Sequence, residues 1–236
     1  MNIVQINGGA VGSTGKIMFG ISAVCTDEKQ ETLCAAPEVS SGNKTGRNLY
    51  IIQNNNHRKI NVLLDRITGR HNMHSKIATE RLLKVISGFK PDIIQLHNLH
   101  EAYINLPMLF KYIKKHNIKT VWTLHDCWAF TGHCPNFDIV GCNKWKTGCY
   151  GCPQYKEYPK SLFDNSKYMY RLKKKWFTGV ENMTIVTPSE WLASLVKESY
   201  LKDYPVKVIN NGIDLNVFKP TESDFRKKYA LENKYI

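Results

Sequence analysis

Short apolar runs alternate with amphipathic stretches along most of the chain. Residues 2–6, 32–36, 49–52, 93–96, 119–124, 183–187 and 206–209 are rich in apolar and β-branched side chains and are bounded by glycine, proline or polar residues. Runs of that length predict strands, several of them buried on both faces. Between them, apolar residues recur at helical spacing. Ile17, Met18, Ile21 and Val24 follow the first run. Ile60, Leu63, Leu64 and Ile67, then Ile77, Leu82, Leu83, Val85 and Ile86, follow the third. Leu106, Leu109, Phe110 and Ile113 precede the fifth, and Trp191, Leu192, Leu195 and Val196 precede the last. Each set is expected to face a core. Alternation of the two periods predicts the α/β class: a single doubly wound, mainly parallel Rossmann-like sheet of about seven strands flanked by helices. Residues 37–47 read as a polar loop and 221–231 as a short charged helix.

The strand ends carry the residues capable of chemistry. In open α/β sheets, ligands bind outside the carboxyl ends of the strands. The first run opens into Gly8, Gly9, Gly12 and Gly15, with Ser13 and Thr14 among them. A strand, a glycine loop and a helix let backbone N–H groups approach a phosphate. The spacing fits neither a dinucleotide fingerprint nor a Walker loop, so a tight turn without ligand stands beside phosphate contact. The fourth run ends in His97-Asn98-Leu99-His100-Glu101, a set of acceptor contacts or a polar loop satisfied by water. The fifth run delivers His125-Asp126. Asp126 either orients His125 or caps the loop. His57, His71 and His74 lie in polar turns and read as surface residues.

From 127 to 159 no period holds. Trp128, Phe130, Phe137, Trp145, Tyr150 and Tyr155 would be costly to leave in water, so something must order this loop. It contains Cys134-x7-Cys142-x6-Cys149-x2-Cys152, with His133 as a substitute ligand. Three readings stand: a tetrahedral structural zinc site, disulfides, or buried thiols. Cys25, Cys34 and Cys127 read as buried small residues.

Composition narrows the setting. The chain has 236 residues, 42% of them hydrophobic, and its apolar runs are far too short to span a bilayer. Residues 1–6 lack the basic and long apolar regions of a signal peptide, so a cytoplasmic location is expected. A formal charge of +13 favours anionic partners or a basic solvated surface. The stretch 161–177 mixes Lys167, Arg171, Lys173, Lys174 and Lys175 with aromatics, which suits a helix lying on an anionic membrane or a basic helix covering the sheet.

Four motifs together point to a family. The glycine loop, His125-Asp126, Thr187-Pro188-Ser189-Glu190-Trp191 and Asn211-Gly212-Ile213-Asp214-x-x-x-Phe218-x-Pro220 resemble the N-terminal half of a GT-B glycosyltransferase of family 4, a retaining nucleotide-sugar type. The cysteine-rich loop is similar to that of a colanic-acid and capsular polysaccharide subgroup. The resemblance implies a Rossmann-like acceptor-side domain over 1–209, with the loop inserted at 127–159. Residues 210–236 would then be an inter-domain linker hinged at Asn211, Gly212 and Asp214, leading into a donor domain absent here, so that the chain alone is expected to be inactive. It further implies that Gly12, Ser13 and Thr14 contact the donor phosphate. His125 and Asp126 take part in catalysis, and His97, Asn98 and His100 face the acceptor. No catalytic cofactor is expected. The implied partners are a nucleotide-sugar donor, a saccharide acceptor of the lipid-linked kind, and an anionic membrane surface. The alternative is a basic nucleic-acid-binding module with a zinc-ribbon-like loop; the scatter of basic residues over several helices and the lack of an RNA-binding motif weigh against it.

Overall fold

The computed structural model describes residues 1–38 and 48–235, so most of the expected loop at 37–47 lies outside the described residues. Seven strands form one sheet: β1 (Asn2–Ile6), β2 (Glu31–Ala36), β3 (Leu49–Ile51), β4 (Ile93–Leu96), β5 (Lys119–Thr123), β6 (Met183–Thr187) and β7 (Val206–Val208). Their order is β3-β2-β1-β4-β5-β6-β7, and every pairing is parallel. The winding reverses between β1 and β4, which places the carboxyl ends of β1, β4 and β5 side by side.

The helices are α1 (Gly12–Asp27), α2 (Asn55–Thr68), α3 (Lys76–Phe89), α4 (Leu106–His116), α5 (Ser166–Phe177), α6 (Glu190–Glu198) and α7 (Phe225–Lys228). α4 shows how local chemistry and packing agree. The Asn105 side chain accepts the Met108 N–H at 3.1 Å, and Pro107 sits in the first turn. Leu106, Leu109, Phe110 and Ile113 are all buried. Phe110 packs on Trp122 and Phe177, with ring centroids 5.6 and 4.7 Å away. Burial of each such side chain contributes about 1.5–3 kcal/mol.

Three helices depart from expectation. In α2, Ile60, Leu63, Leu64 and Ile67 are 38–56% exposed, and Asp65 is the buried residue. Periodicity shows that an apolar stripe exists but not what covers it. In α5, Met169, Tyr170, Trp176 and Phe177 are buried in the domain core, together with Lys173. These side chains pack inside the protein, while Leu162, Phe163 and Tyr168 of the same stretch stay exposed. Among the described residues no helix is long and apolar enough to cross a membrane. The charged helix at 221–231 is also shorter, being helical only over Phe225–Lys228.

An aromatic core orders the cysteine-rich segment. Three 3-10 turns, Trp128–Phe130, Phe137–Val140 and Lys144–Lys146, fold it back on itself. Phe137 stacks on Trp145 at 4.8 Å, and Phe130 lies 5.2 Å from the same ring. Lys173 reaches in from α5. Its Nζ donates to the Trp128 carbonyl and stands 3.5 Å above the Trp128 ring centroid. Gly132 permits the close approach of α5, because a Cβ there would collide with the Ser166 carbonyl and lie 2.7 Å from the Cys149 Cβ.

Candidate active site

The switch point gathers three loops. The first begins at Asn7, where β1 ends. Its Oδ1 accepts the N–H of Gly8 at 2.9 Å and of Asn98 at 3.3 Å, and its Nδ2 donates to the Gly9 carbonyl and to Thr14 Oγ1. One side chain thus ties the glycine loop to the end of β4. Gly12 starts α1 at φ 76°, a conformation that favours glycine, and the space around it is open. α1 has no side-chain cap and no acidic residue in its first turn. The first N–H groups of a helix lack intrahelical partners, and the dipole favours an anion there. Gly12 and Ser13 are exposed, while the Thr14 hydroxyl is engaged by Asn7.

The second and third loops bring paired histidines. His97 is 1% exposed. Its Nε2 lies 3.2 Å from Gln5 Oε1, and its Nδ1 lies 3.2 Å from His125 Nε2. Gln5 spends its amide N–H on the Met18 carbonyl at 3.0 Å, so its oxygen faces His97 and can only accept. His97 therefore carries its proton on Nε2, and His125 donates from Nε2 to His97 Nδ1. The two rings stack at 5.5 Å and 13°. Burial pushes His97 down to about 3, aided by His125, and burial also lowers His125. Both are neutral at pH 7. His125 is half-buried, and its Nδ1 has no hydrogen-bond partner among the described residues.

A second line runs alongside. His100 donates from Nε2 to Asp126 Oδ2 at 2.9 Å, and its Nδ1 meets the Tyr158 hydroxyl at 2.8 Å. Asp126 Oδ1 accepts the Trp128 N–H at 2.8 Å. Burial alone would raise the Asp126 pKa; the hydrogen bonds from His100 and Trp128, with the charge of Lys173, outweigh it and keep the carboxylate ionised.

These contacts revise the expectations for His97 and His71 and select the capping alternative for Asp126. His97 is buried behind His125 and positions it, rather than facing an acceptor. Asp126 caps its loop and holds His100, not His125. His71 is buried at 5% exposure instead of lying on the surface. Asn98 is half-buried, and its side-chain amide has no partner among the described residues. Asn211, Gly212 and Asp214 are exposed beyond β7, at an edge of the sheet, where Asp214 accepts the Asn216 N–H at 2.9 Å. Gln5, Asn7 and Tyr158 escaped the sequence reading. A glutamine inside an apolar strand was an available signal for Gln5; Tyr158 offered none.

Cys134, Cys142, Cys149 and Cys152 come together, and all are free thiols. They share the lining of a void of about 10 Å³. Cys134 and Cys152 hydrogen-bond to each other, which raises the first and pulls the second down to about 7. The Gly132 N–H donates to Cys149 Sγ at 3.1 Å.

A parallel sheet with an open helix start and a histidine at its switch point defines a doubly wound, Rossmann-like α/β domain with its site at the strand ends. Residues 41–217 match the description of Glycosyltransferase Family 4, and the chain belongs to that family. Over 132 residues it is 33% identical to a colanic acid biosynthesis glycosyl transferase, WcaC, of Escherichia coli (strain K12), covering 53% of this chain and 32% of that one. Sucrose-phosphate synthase from Thermosynechococcus elongatus shares the fold with a TM-score of 0.56 at 10% identity, covering 99% of this chain and 53% of that one. The match thus spans about a third of the first protein's length and about half of the second's.

Proposed function

We propose that this chain is the acceptor-side domain of a transferase that moves a sugar from a nucleotide-sugar donor to a saccharide acceptor of the lipid-linked kind. The observation that carries this reading is the placement of the open α1 N-terminus and of His125 at strand ends on either side of β4, at the switch point of a family 4 chain. Sugar transfer from a nucleotide needs donors aimed at the phosphate charge that develops on departure. The first N–H groups of α1, from Gly12 onward, supply such donors without reorganising. His125, with its Nε2–H committed to His97, offers Nδ1 as an acceptor for a sugar hydroxyl. Its role here is to hold the transferred sugar in line while a second domain closes over it. The likeness to WcaC supports polysaccharide assembly as the setting. In a polypeptide carrying both domains, His125→Ala is expected to lower transfer from a panel of nucleotide sugars by about 10²-fold while circular dichroism stays native. Transfer at the parent rate would refute the role.

The four thiols are proposed as a structural zinc site. Their shared void has room for about one water-sized sphere. As the side chains stand among the described residues, no group of three or more His, Cys, Asp or Glu is ready to hold a metal ion, so binding requires the thiols to turn inward and lose protons. About one zinc per chain is expected after purification without chelator. Folded protein free of zinc would reject the proposal.

A further inference from the structure

A cavity of about 300 Å³ opens beside the histidine lines, between α2, the loop after β4 and the end of the cysteine-rich segment. Arg58, Asp65, Arg66, His71, Tyr158 and Lys160 line it, and His100 forms its wall toward Asp126. Its volume is at the lower end of small-molecule sites.

Three features mark it as built for a ligand. First, two buried polar atoms on its lining residues have no hydrogen-bond partner: Asp65 Oδ1 and His71 Nε2, on residues 3% and 5% exposed. The nearest opposed groups, His74 Nε2 to Asp65 Oδ1 and His71 Nδ1 to Asp65 Oδ2, are 3.7 and 3.8 Å away, beyond hydrogen-bond reach. Unmet buried polar groups are rare because each is costly. Second, the rim holds strain. Glu101 and Ala102 adopt φ of 91° and 59° in succession. The Ala102 N–H is held by Asn72 Oδ1 at 2.9 Å, and its carbonyl by Gln53 and Ser75 at 2.9 and 2.8 Å. Consecutive left-handed non-glycine residues, pinned by buried amides, cluster at ligand clamps. Third, the charge is unbalanced. Glu101 is paired with Arg58 at 2.8 Å, whereas Arg66 and Lys160 are exposed and have no carboxylate partner among the described residues.

We propose that this cavity is the acceptor-sugar subsite and that it takes a pyranose unit carrying an anionic group, a carboxylate or a phosphate. The assignment rests on the transferase reading above. Ring hydroxyls, which both donate and accept, satisfy Asp65 Oδ1 and His71 Nε2 once the floor side chains, which now seal those atoms from water, turn toward the cavity. The anionic substituent meets Arg66 and Lys160 at the mouth through charge-assisted hydrogen bonds. The Tyr158–His100–Asp126 line then joins the bound sugar to the His125 loop.

The test is a binding titration of the intact chain by ligand-observed NMR. The probes are hexose 1-phosphates, methyl hexuronides and neutral methyl hexosides, each in gluco, galacto and manno configuration, with inorganic phosphate as a further probe. One charged series is expected to bind about tenfold tighter than its neutral counterpart, equivalent to about 1.4 kcal/mol. Which series does so tells phosphate from carboxylate. The double variant Arg66→Ala/Lys160→Ala should lose that preference while keeping its thermal midpoint, since both side chains are exposed. Equal binding of neutral and charged sugars, full competition by inorganic phosphate alone, or an unchanged preference in the double variant would overturn the assignment. These readouts are independent of turnover. Absence of any charged-sugar preference in the unaltered chain, with His125-dependent transfer intact, defeats only the cavity, and the opposite pattern defeats only the catalytic reading.

Discussion

Trp122 and Trp145 are equally buried, each 1% exposed, but the company they keep differs. Trp122, on β5, is covered by Phe110 of α4 and Phe177 of α5, and its indole N–H donates to the His97 carbonyl at 3.0 Å. Trp145 lies in the aperiodic segment against Phe130 and Phe137, and its indole nitrogen has no partner among the described residues. The first tryptophan belongs to a layered sheet whose ladder satisfies the backbone. The second belongs to a small aromatic core held by α5 through the Lys173 bond to Trp128 and the Tyr170 hydroxyl bond to the Trp145 carbonyl at 2.9 Å. That segment also delivers Trp128 and Tyr158 to the candidate site, so the site depends on the less regular part of one continuous core.

The largest effect that would sharpen this contrast comes from truncating each part of the core in turn. Trp145→Ala and Phe110→Ala should each cost about 3–5 kcal/mol in denaturant unfolding. Hydrogen exchange should separate them: Trp145→Ala opens 127–165 first, and Phe110→Ala opens the sheet. Equal opening of both regions by both variants would erase the distinction.

An intermediate effect is acid sensitivity. Burial, the largest cause in each case, holds His71 and His97 down to about 3 and His133 down to about 4. A histidine whose folded pKa is depressed binds fewer protons folded than unfolded below pH 6.5. Its contribution is complete above that value and is lost as pH falls toward the folded pKa. Each contributes a slope of about 1.4 kcal/mol per pH unit, so midpoints should fall steeply between about pH 6 and pH 4. Asp65, raised by burial to about 7, acts in the opposite direction but is a single group. A flat profile over that window would contradict the burial of the three rings.

The smallest effect tests the seam between the two regions. Burial lowers Lys173 to about 7, against partial support from Cys149 and Asp126. Its folded pKa is depressed below the unfolded value, so wild-type stability should rise as pH climbs from 7 toward 10. Lys173→Met should remove that component, by at most about 1.4 kcal/mol per pH unit. The difference between the two denaturant profiles measures it, and parallel profiles would show that burial does not depress the Lys173 ammonium.

Much of the sheet was legible because its signals are local. β1, β4 and β6 begin and end where the apolar runs do, and β2, β3, β5 and β7 differ by a residue at one end. The glycine loop and His125 were legible as strand-end chemistry for the same reason. The α2 stripe misled because its apolar residues have the right spacing and no cover among the described residues. The sense of the histidines misled because chain neighbours are not their partners: Asp126 follows His125 in sequence but bonds His100, and His125 bonds His97.

Local pattern was enough for the α/β alternation, the strands, the glycine-rich turn before α1 and the polar residues at three strand ends, since each follows from the period and chemistry of a few adjacent residues. Only the tertiary structure decided which of those residues meet. Strand order laid β1, β4 and β5 side by side, and that order joined Gln5 to His97 across the sheet and His97 to His125. The same folding carried Tyr158 back to His100 and closed a cavity over Asp65 and His71, contacts set by long-range packing that no local pattern encodes.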